Sequence, residues 1–156
     1  MKLVVFSDTH GRCDKMLAMA RRMKGVDLFI HLGDHVEDAA RLADSVWPVR
    51  TVCVAGNGDM GSGEKTELIL RTDGYVTVAV HGHRQSVKFS SAGLVAMAQQ
   101  HNARLVLFGH THEAEIFTRE GVTFVCPGTA GGIGHEPTAA MVETVNGEPF
   151  CHLIEL

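Results

Sequence analysis

Short clusters of aspartate, histidine and asparagine recur along the chain, nearly always beside a glycine. In order they are Asp8-Thr9-His10-Gly11, His31-Leu32-Gly33-Asp34-His35, Gly56-Asn57-Gly58-Asp59, His81-Gly82-His83 and Gly109-His110-Thr111-His112. Carboxylate, amide and imidazole groups together form the mixed oxygen and nitrogen ligand set that manganese, iron, cobalt, nickel and zinc accept. Each cluster alone is as typical of a surface turn as of a metal site, so their relative positions decide between the two.

Each cluster directly follows an apolar run of strand length. The runs are rich in Val, Leu and Ile and mostly lack alternation, as strands buried on both faces do. They span Leu3–Phe6, Asp27–Ile30, Val49–Ala55, Val76–Val80 and Arg104–Phe108. Because ligands bind outside the carboxyl ends of parallel strands, we expect the clusters to converge at one sheet edge. The candidate ligands are too many for one ion, so the sequence predicts a two-metal site, a type that catalyses phosphoester displacement.

Three helices and three hairpins complete the predicted secondary structure. The first helix takes Asp14 as its N-cap and presents an apolar face at Met16, Met19, Ala20 and Met23. The other two helices run from Val36 to about Ser45 and, after Ser90-Ser91, to about His101. Three antiparallel hairpins are predicted at the two-residue turns Asp73-Gly74, Glu120-Gly121 and Asn146-Gly147. The β-α-β-α-β beginning and the late hairpins together indicate a mixed α/β structure with two sheets.

Composition bounds the classes of function. With 156 residues, of which 45% are hydrophobic and 21% charged, the chain is expected to form one domain over residues 1–156. A net charge of −4 argues against an extended nucleic-acid surface. No apolar stretch reaches the roughly 18 residues of a membrane span, so we expect a soluble, cytoplasmic protein without membrane contact. The four scattered cysteines contain no Cys-x-x-Cys pair, and the three that lie in or beside apolar runs are expected to be core residues.

The order of the clusters, Asp-x-His, Gly-Asp, Gly-Asn-x-Asp, His-Gly-His and Gly-His-x-His, resembles that of the calcineurin-like metallophosphoesterases. The short length and the segment Cys126-Pro127-Gly128-Thr129 are similar to the small YfcE-type phosphodiesterase branch, and the likeness extends to about residue 130. The resemblance implies a four-layer αββα fold, in which two facing mixed β-sheets are flanked by helices. A dinuclear metal centre would lie on one edge of these sheets.

The resemblance also implies a role for each candidate ligand. Three residues would hold each ion and one carboxylate would bridge both; the matching positions are Asp8, His10 and His112, then Asn57, His81 and His110, then Asp34. Manganese is the expected metal, with nickel, iron, cobalt or zinc as alternatives. Asn57 and His83 are predicted to be catalytic. Asn57 would offer its NH₂ to a phosphate oxygen, and His83 would donate a proton or contact phosphate unless its role is structural.

Gly58 departs from the family pattern. Many relatives carry at this position a histidine that protonates the leaving oxygen, and the small branch often carries cysteine. A general acid contributes roughly 10²–10⁴-fold, so its absence predicts a preference for activated or cyclic phosphodiesters over alkyl monoesters. His35 has two open interpretations, contact with phosphate or orientation of its loop. His31 is expected to be a buried hydrogen-bonded residue, and Asp59 to bind loop backbone or a ligand histidine.

The sequence therefore predicts a dinuclear metal-dependent phosphodiesterase. It would hydrolyse small phosphodiesters, of the cyclic nucleotide or aryl diester type, by attack of a hydroxide that bridges the metals. The alternatives are a phosphomonoesterase or nucleoside polyphosphate hydrolase of the same fold, and a non-catalytic protein-binding scaffold similar to a retromer subunit. The complete ligand set favours an enzyme, whereas Gly58 is the one feature that favours the scaffold. A homo-oligomer is left open.

Overall fold

The computed structural model describes residues 1–156 as ten strands, three α-helices and one short 3₁₀ turn, His83–Gln85. The helices are α1 (Asp14–Arg22), α2 (Val36–Val46) and α3 (Ala92–His101). The strands are β1 (Lys2–Phe6), β2 (Leu28–His31), β3 (Arg50–Cys53), β4 (Glu67–Thr72), β5 (Tyr75–Val80), β6 (Ala103–Leu107), β7 (Ala114–Arg119), β8 (Val122–Pro127), β9 (Thr138–Val145) and β10 (Glu148–Glu155).

Two five-stranded sheets contain all ten strands. The first has the order β10-β9-β1-β2-β3 and the second the order β4-β5-β6-β8-β7. Strands β1, β2 and β3 are parallel, as are β5, β6 and β8, while the remaining strands pair antiparallel. Both sheets are therefore mixed, and the carboxyl ends of their parallel strands supply the loops that carry the polar clusters.

The apolar side chains of each inner strand divide between two cores. In β1, Leu3 and Val5 pack in a central cluster with residues of both sheets, such as Ile30 and Leu107. The alternate residues of β1 pack instead in a second cluster with α1 and α2, and the outer face of the second sheet packs against α3 in a third. This alternation produces the predicted four layers, helix, sheet, sheet and helix.

The predicted hairpins and helices are all present, although several strands begin or end one or two residues from their predicted bounds. The third strand ends at Cys53 rather than Ala55, because the Ala55 N–H turns to the carbonyl of Lys65 instead of the sheet. Asp14 is the first residue of α1 and not its N-cap; that position belongs to Cys13, which makes no side-chain capping bond. In the first turn, the Asp14 carboxylate still interacts favourably with the helix dipole.

None of the helices is long and apolar enough to cross a membrane, and the longest, α2, has 11 residues. All four cysteines are free. Cys13 and Cys126 are buried, whereas Cys53 and Cys151 are only half-buried, so fewer cysteines are core residues than the three predicted.

Candidate metal centre

Five loops meet where the parallel strands of both sheets end. Backbone hydrogen bonds join two pairs of these loops: the Asp8 N–H donates to the Gly33 carbonyl, and the Gly109 N–H donates to the His81 carbonyl. At this edge the ligand atoms form two groups of three, with every atom of a group within 4.8 Å of the others. The groups are Asp8, His10 and His112, and Asp34, His81 and His110.

Asp34 lies between the two groups. Its Oδ2 is 3.7 Å from His10 Nε2, while its Oδ1 is 3.5 Å from His81 Nε2. Asn57 adjoins the second group, since its Oδ1 is 3.2 Å from His81 Nε2. The structure thus brings together all seven residues predicted as ligands, and the two oxygens of Asp34 face different groups.

The hydrogen bonds of two histidines test whether this site fits cations. Carbonyl oxygens accept the Nδ1–H groups of His81, from Leu32 at 2.7 Å, and of His112, from Ile133 at 3.3 Å. Each Nε2 therefore keeps a lone pair directed at the centre. Asp8 Oδ1 is buried without a hydrogen-bond donor, 3.2 Å from His112 Nε2. Acceptor atoms so close together repel one another unless a cation lies between them, so the donor set fits divalent metal ions.

In the metal-free protein, the close approach of these groups also shifts the pKa values of three candidate ligands. The Asp8 carboxylate close to its Nε2 raises the pKa of His112. Burial opposes ionisation of Asp8, yet the nearby imidazoles of His112 and His81 and the bond from Ser7 leave the Asp8 pKa below its ordinary value. Burial, assisted by His81, lowers the pKa of His110 to about 4. His110 is therefore neutral at pH 7, the form in which an imidazole binds metal.

Most of the candidate ligands have left-handed backbone. The φ angles are +54° at Asp8, +47° at His10, +56° at Asp34, +72° at His110 and +64° at His112. This conformation is uncommon outside glycine and costs of the order of 1–3 kcal/mol per residue. Such strain persists only where surrounding contacts impose it, and it is concentrated here at the metal-ligand loops.

Asp59 supplies such contacts to the loop that contains Asp34. Its carboxylate accepts the backbone N–H groups of Asp34, His35 and Gly56, each at 2.8 Å, and that of Val36 at 3.0 Å. Burial alone would raise the Asp59 pKa, but these four donors hold it below its ordinary value. The expectation that Asp59 binds loop backbone is confirmed.

Close packing explains two of the glycines. A Cβ on Gly109 would lie 2.1 Å from Ser7 Oγ, and one on Gly56 would lie 2.2 Å from Asp34 Oδ1. Any side chain at either position would displace a candidate ligand or the residue beside it. Glycine therefore lets the five loops approach one another closely enough for their ligands to meet.

The other histidines singled out in the sequence take different places. His83 adjoins the second ligand group, with its ring centre 5.3 Å from that of His81. Its Nδ1 is buried without a partner, and burial lowers its pKa. His31 is fully buried between Thr9 Oγ1, at 3.1 Å, and the Gly33 N–H, at 3.2 Å, and is thus the predicted hydrogen-bonded core residue.

Three residues that hydrogen-bond to the loops of the centre were not predicted from the sequence. Ser7 Oγ donates to Asp8 Oδ2, and Thr129 Oγ1 donates to the Asp8 carbonyl at 2.8 Å. Asp38, inside α2, accepts the Gly11 N–H at 3.0 Å. Ser7 and Thr129 stood within segments already of interest, but nothing in the spacing of Asp38 distinguished it from a solvated helix residue.

Comparison with solved structures identifies the fold. A Streptococcus pneumoniae protein described as a predicted phosphoesterase superposes with a TM-score of 0.80 and 25% identity, covering 99% of this chain and 88% of that one. An archaeal phosphodiesterase superposes with a TM-score of 0.75 and 22% identity, covering 99% of this chain and 100% of that one. Vps29 of Entamoeba histolytica, crystallised with Zn²⁺, gives 0.79 and 17% identity, covering 99% of each chain. The last two likenesses, at their low identities, concern the fold alone.

Sequence comparison identifies the family. A protein of Mycoplasma pneumoniae named "Probable metallophosphoesterase" is 31% identical over 131 residues, 82% of this chain and 78% of that protein. "Probable metallophosphoesterase YsnB" of Bacillus subtilis is 29% identical over 130 residues, 83% and 75% of the two chains. The model of the calcineurin-like phosphoesterase superfamily domain matches residues 1–147. The chain therefore belongs to the calcineurin-like phosphoesterase superfamily.

Proposed function

We propose that this protein is a dinuclear metal-dependent phosphodiesterase that hydrolyses small phosphodiesters. The observation that carries the proposal is the convergence of two three-residue ligand groups on one sheet edge, with Asp34 facing both. Two metal ions held close together form a clamp for in-line displacement at phosphorus. The superfamily match makes phosphoester hydrolysis the chemistry to expect of such a centre.

The proposed ligands divide as the distances suggest. Asp8, His10 and His112 would hold the first ion, and Asn57, His81 and His110 the second, with Asp34 shared. We propose manganese as the metal, with nickel, iron, cobalt and zinc as alternatives, since all accept mixed nitrogen and oxygen ligands. When bound, the ions would supply Lewis acidity and activate water.

The residues around the metals would position the phosphate. Asn57 has an amide whose oxygen faces the second ligand group, so its NH₂ can donate to a phosphate oxygen. His83 lines a cleft of about 450 Å³ together with Asn57, Met60 and Arg84, beside the second ligand group. We propose that His83 contacts the substrate in this cleft. Because positioning and electrostatics dominate phosphoryl transfer, few further groups are required.

Gly58 shapes the proposed substrate range. It offers only its backbone N–H, which donates to Asp34 Oδ1 at 2.8 Å, so no acid at this position can protonate the leaving oxygen. We therefore expect aryl and cyclic phosphodiesters, whose leaving oxygens need less help, to be hydrolysed faster than alkyl monoesters. A small, diffusible substrate in the cytoplasm agrees with the net charge of −4, which offers little to an extended nucleic acid.

A protein-binding scaffold is the second candidate function, supported by the fold shared with Vps29. Against it stands the full set of candidate ligands, because a scaffold has no need to keep seven residues in place around a strained centre. Assembly into a homo-oligomer is compatible with either candidate.

Turnover measurements test the proposal. Purified protein with Mn²⁺ should hydrolyse bis-nitrophenyl phosphate and 2′,3′-cyclic AMP faster than nitrophenyl phosphate, and EDTA should abolish the reaction. Asp34→Asn should reduce diester turnover by more than the roughly 100-fold that loss of a supporting contact costs a metal site. Asp44→Asn, the same change at an exposed position of α2, is the matched control. If Mn²⁺ binds but none of the three substrates is hydrolysed, the result would contradict the proposal and favour the scaffold.

Gly58→His adds a direct test of substrate range. Monoester turnover should rise about tenfold or more if the missing acid sets the preference. A Cβ at this position would lie 3.2 Å from Asp34 Oδ1, so Gly58→Ala is needed to separate crowding from acid catalysis. An equal response to both substitutions would show that proton donation at position 58 does not limit the reaction.

A further inference from the structure

We propose that His35, held by Asp38, donates the proton to the leaving oxygen that no residue at position 58 can supply. This inference rests on the proposed phosphodiesterase function and deepens it by naming a further catalytic residue. It stands on the position of the His35 ring, its carboxylate partner and the cleft that it shares with Gly58.

Few imidazoles at the centre are free to act as proton donors. His10, His81, His110 and His112 belong to the ligand groups. Of the two that remain beside the centre, only His35 has a carboxylate partner: its Nδ1 lies 3.2 Å from Asp38 Oδ2 and 3.6 Å from Glu37 Oε2.

The Asp38 carboxylate lies beside one edge of the ring. Asp38 is buried, and the same Oδ2 accepts the Gly11 N–H, which ties it to the loop of His10. Nδ1 lies beside Asp38, and the opposite edge of the ring lies over Gly11, where Nε2 is 3.7 Å from the place that a Cβ would occupy. A carboxylate that orients one ring nitrogen and stabilises the imidazolium, leaving the other nitrogen for the substrate, is an established arrangement for proton transfer.

The backbone of His35 is forced into position. Its φ is +99°, a conformation that strongly favours glycine, and Asp59 accepts its N–H at 2.8 Å. The side chain is 45% exposed, so burial of apolar surface does not account for this strain. Strain held by surrounding contacts at a site edge is typical of functional residues.

A cleft of about 370 Å³ joins His35 to Gly58, with Glu37, Met60 and Ser62 on its walls. Because Gly58 has no side chain, a leaving group that passes Asp34 can enter this cleft and meet the imidazole. As the water oxygen bonds to phosphorus and gives up its proton to solvent, the P–O bond to the leaving group breaks. Its electron pair stays on the departing oxygen, which takes the Nε2 proton of the His35 imidazolium and leaves as an alcohol. Solvent then returns a proton to the exposed ring.

The test compares two diesters that differ only in the leaving group, methyl nitrophenyl phosphate and methyl phenyl phosphate, with Mn²⁺-loaded protein. His35→Gly should fold normally, since glycine suits the left-handed backbone. It should lose about 100-fold or more on the phenyl ester, whose leaving group needs a proton, and only a few-fold on the nitrophenyl ester. Free imidazole should restore part of the phenyl ester rate. His152→Gly, on the exposed face of β10, should leave both rates unchanged.

Two measurements without turnover complete the test. The Mn²⁺ affinity of His35→Gly, measured by calorimetry, should equal that of the wild type, because His35 is not a proposed ligand. In the metal-free protein, nitrogen NMR should detect a hydrogen-bonded Nδ1 proton on His35 that Asp38→Asn removes.

Three results would overturn the inference while the proposed function stands: equal loss on both esters, no loss on either, or loss of Mn²⁺ binding in His35→Gly. A wild-type protein that hydrolyses neither ester with Mn²⁺ bound would overturn the phosphodiesterase proposal itself, and this inference with it.

Discussion

Left-handed backbone occurs at both ends of the sheets, at the candidate metal centre and at the hairpin turns opposite. In the turns, Glu120 and Asn146 each have a φ of +52° and precede glycines that are also left-handed, the pattern of a type I′ turn. At the centre, Asp8 and Asp34 have φ angles of +54° and +56°. The same conformation thus reverses the chain at one end and directs ligand side chains toward one another at the other.

The two ends differ in what maintains the conformation. Each turn is determined by two adjacent, exposed residues. The centre instead depends on contacts distant in sequence, since Asp34 is held by Asp59 and the Asp8 carbonyl is held by Thr129. Changes to a support of the centre should therefore have large effects at several residues, whereas changes to a turn should have small and local ones.

The largest effect is expected at Asp59. Asp59→Asn replaces a carboxylate with one acceptor oxygen and leaves some of the four backbone N–H groups without a partner. Unfolding in urea with EDTA should show a loss of about 3 kcal/mol, since each unsatisfied buried donor costs of the order of 1–3 kcal/mol. Calorimetry should show Mn²⁺ affinity reduced by about 10–100-fold. Asp44→Asn serves as control, and equal stabilities of the two variants would contradict the supporting role of Asp59.

His31 should change the free energy of unfolding by a similar amount as the pH falls. Complete burial lowers its native pKa to about 4 from an ordinary 6.5, so between these values the unfolded chain takes up a proton that the native protein does not. Stability is thus fully present above pH 6.5 and falls as the pH drops to 4, by about 3 kcal/mol from this residue. Urea unfolding with EDTA at pH 7.5 and 4.5 should show a smaller acid loss for His31→Gln than for the wild type. An acid loss as large in His31→Gln as in His152→Gln would refute the assignment.

The smallest effect is expected at the turn. Glu120→Asn puts a residue that tolerates left-handed backbone into a turn that favours Asn-Gly, and should stabilise the protein by about 0.5 kcal/mol. The substitution also removes the exposed hydrogen bond from Gln99 to Glu120, and this loss offsets little of the gain in stability. Thermal unfolding should rise slightly in midpoint while Mn²⁺ affinity stays constant. A change in affinity would show that the two ends of the sheets are not independent.

Local sequence patterns predicted the turns and the positions of the polar clusters well. Asn146-Gly147 and Glu120-Gly121 define their own geometry, and the apolar run before each polar cluster placed that cluster at a strand end. The family resemblance supplied the layering and the association of the ligands into two groups.

The supporting contacts could not be predicted in the same way, because they join residues distant in sequence. That Asp38 binds both the Gly11 N–H and the His35 ring depends on how α2 packs beside the first loop. The left-handed φ of His35, a residue with no local turn pattern, is likewise imposed by Asp59. Tertiary packing determined these details, and our proposal for His35 rests on them.

The central claim is a pair of metal ions joined by Asp34. Titration of metal-free protein with Mn²⁺, followed by calorimetry and electron paramagnetic resonance, tests it most directly. We predict two ions per chain with an exchange-coupled signal, and loss of that coupling in Asp34→Asn but not in Asp44→Asn. A single ion per chain, or two ions whose signals stay uncoupled in the wild type, would contradict the account.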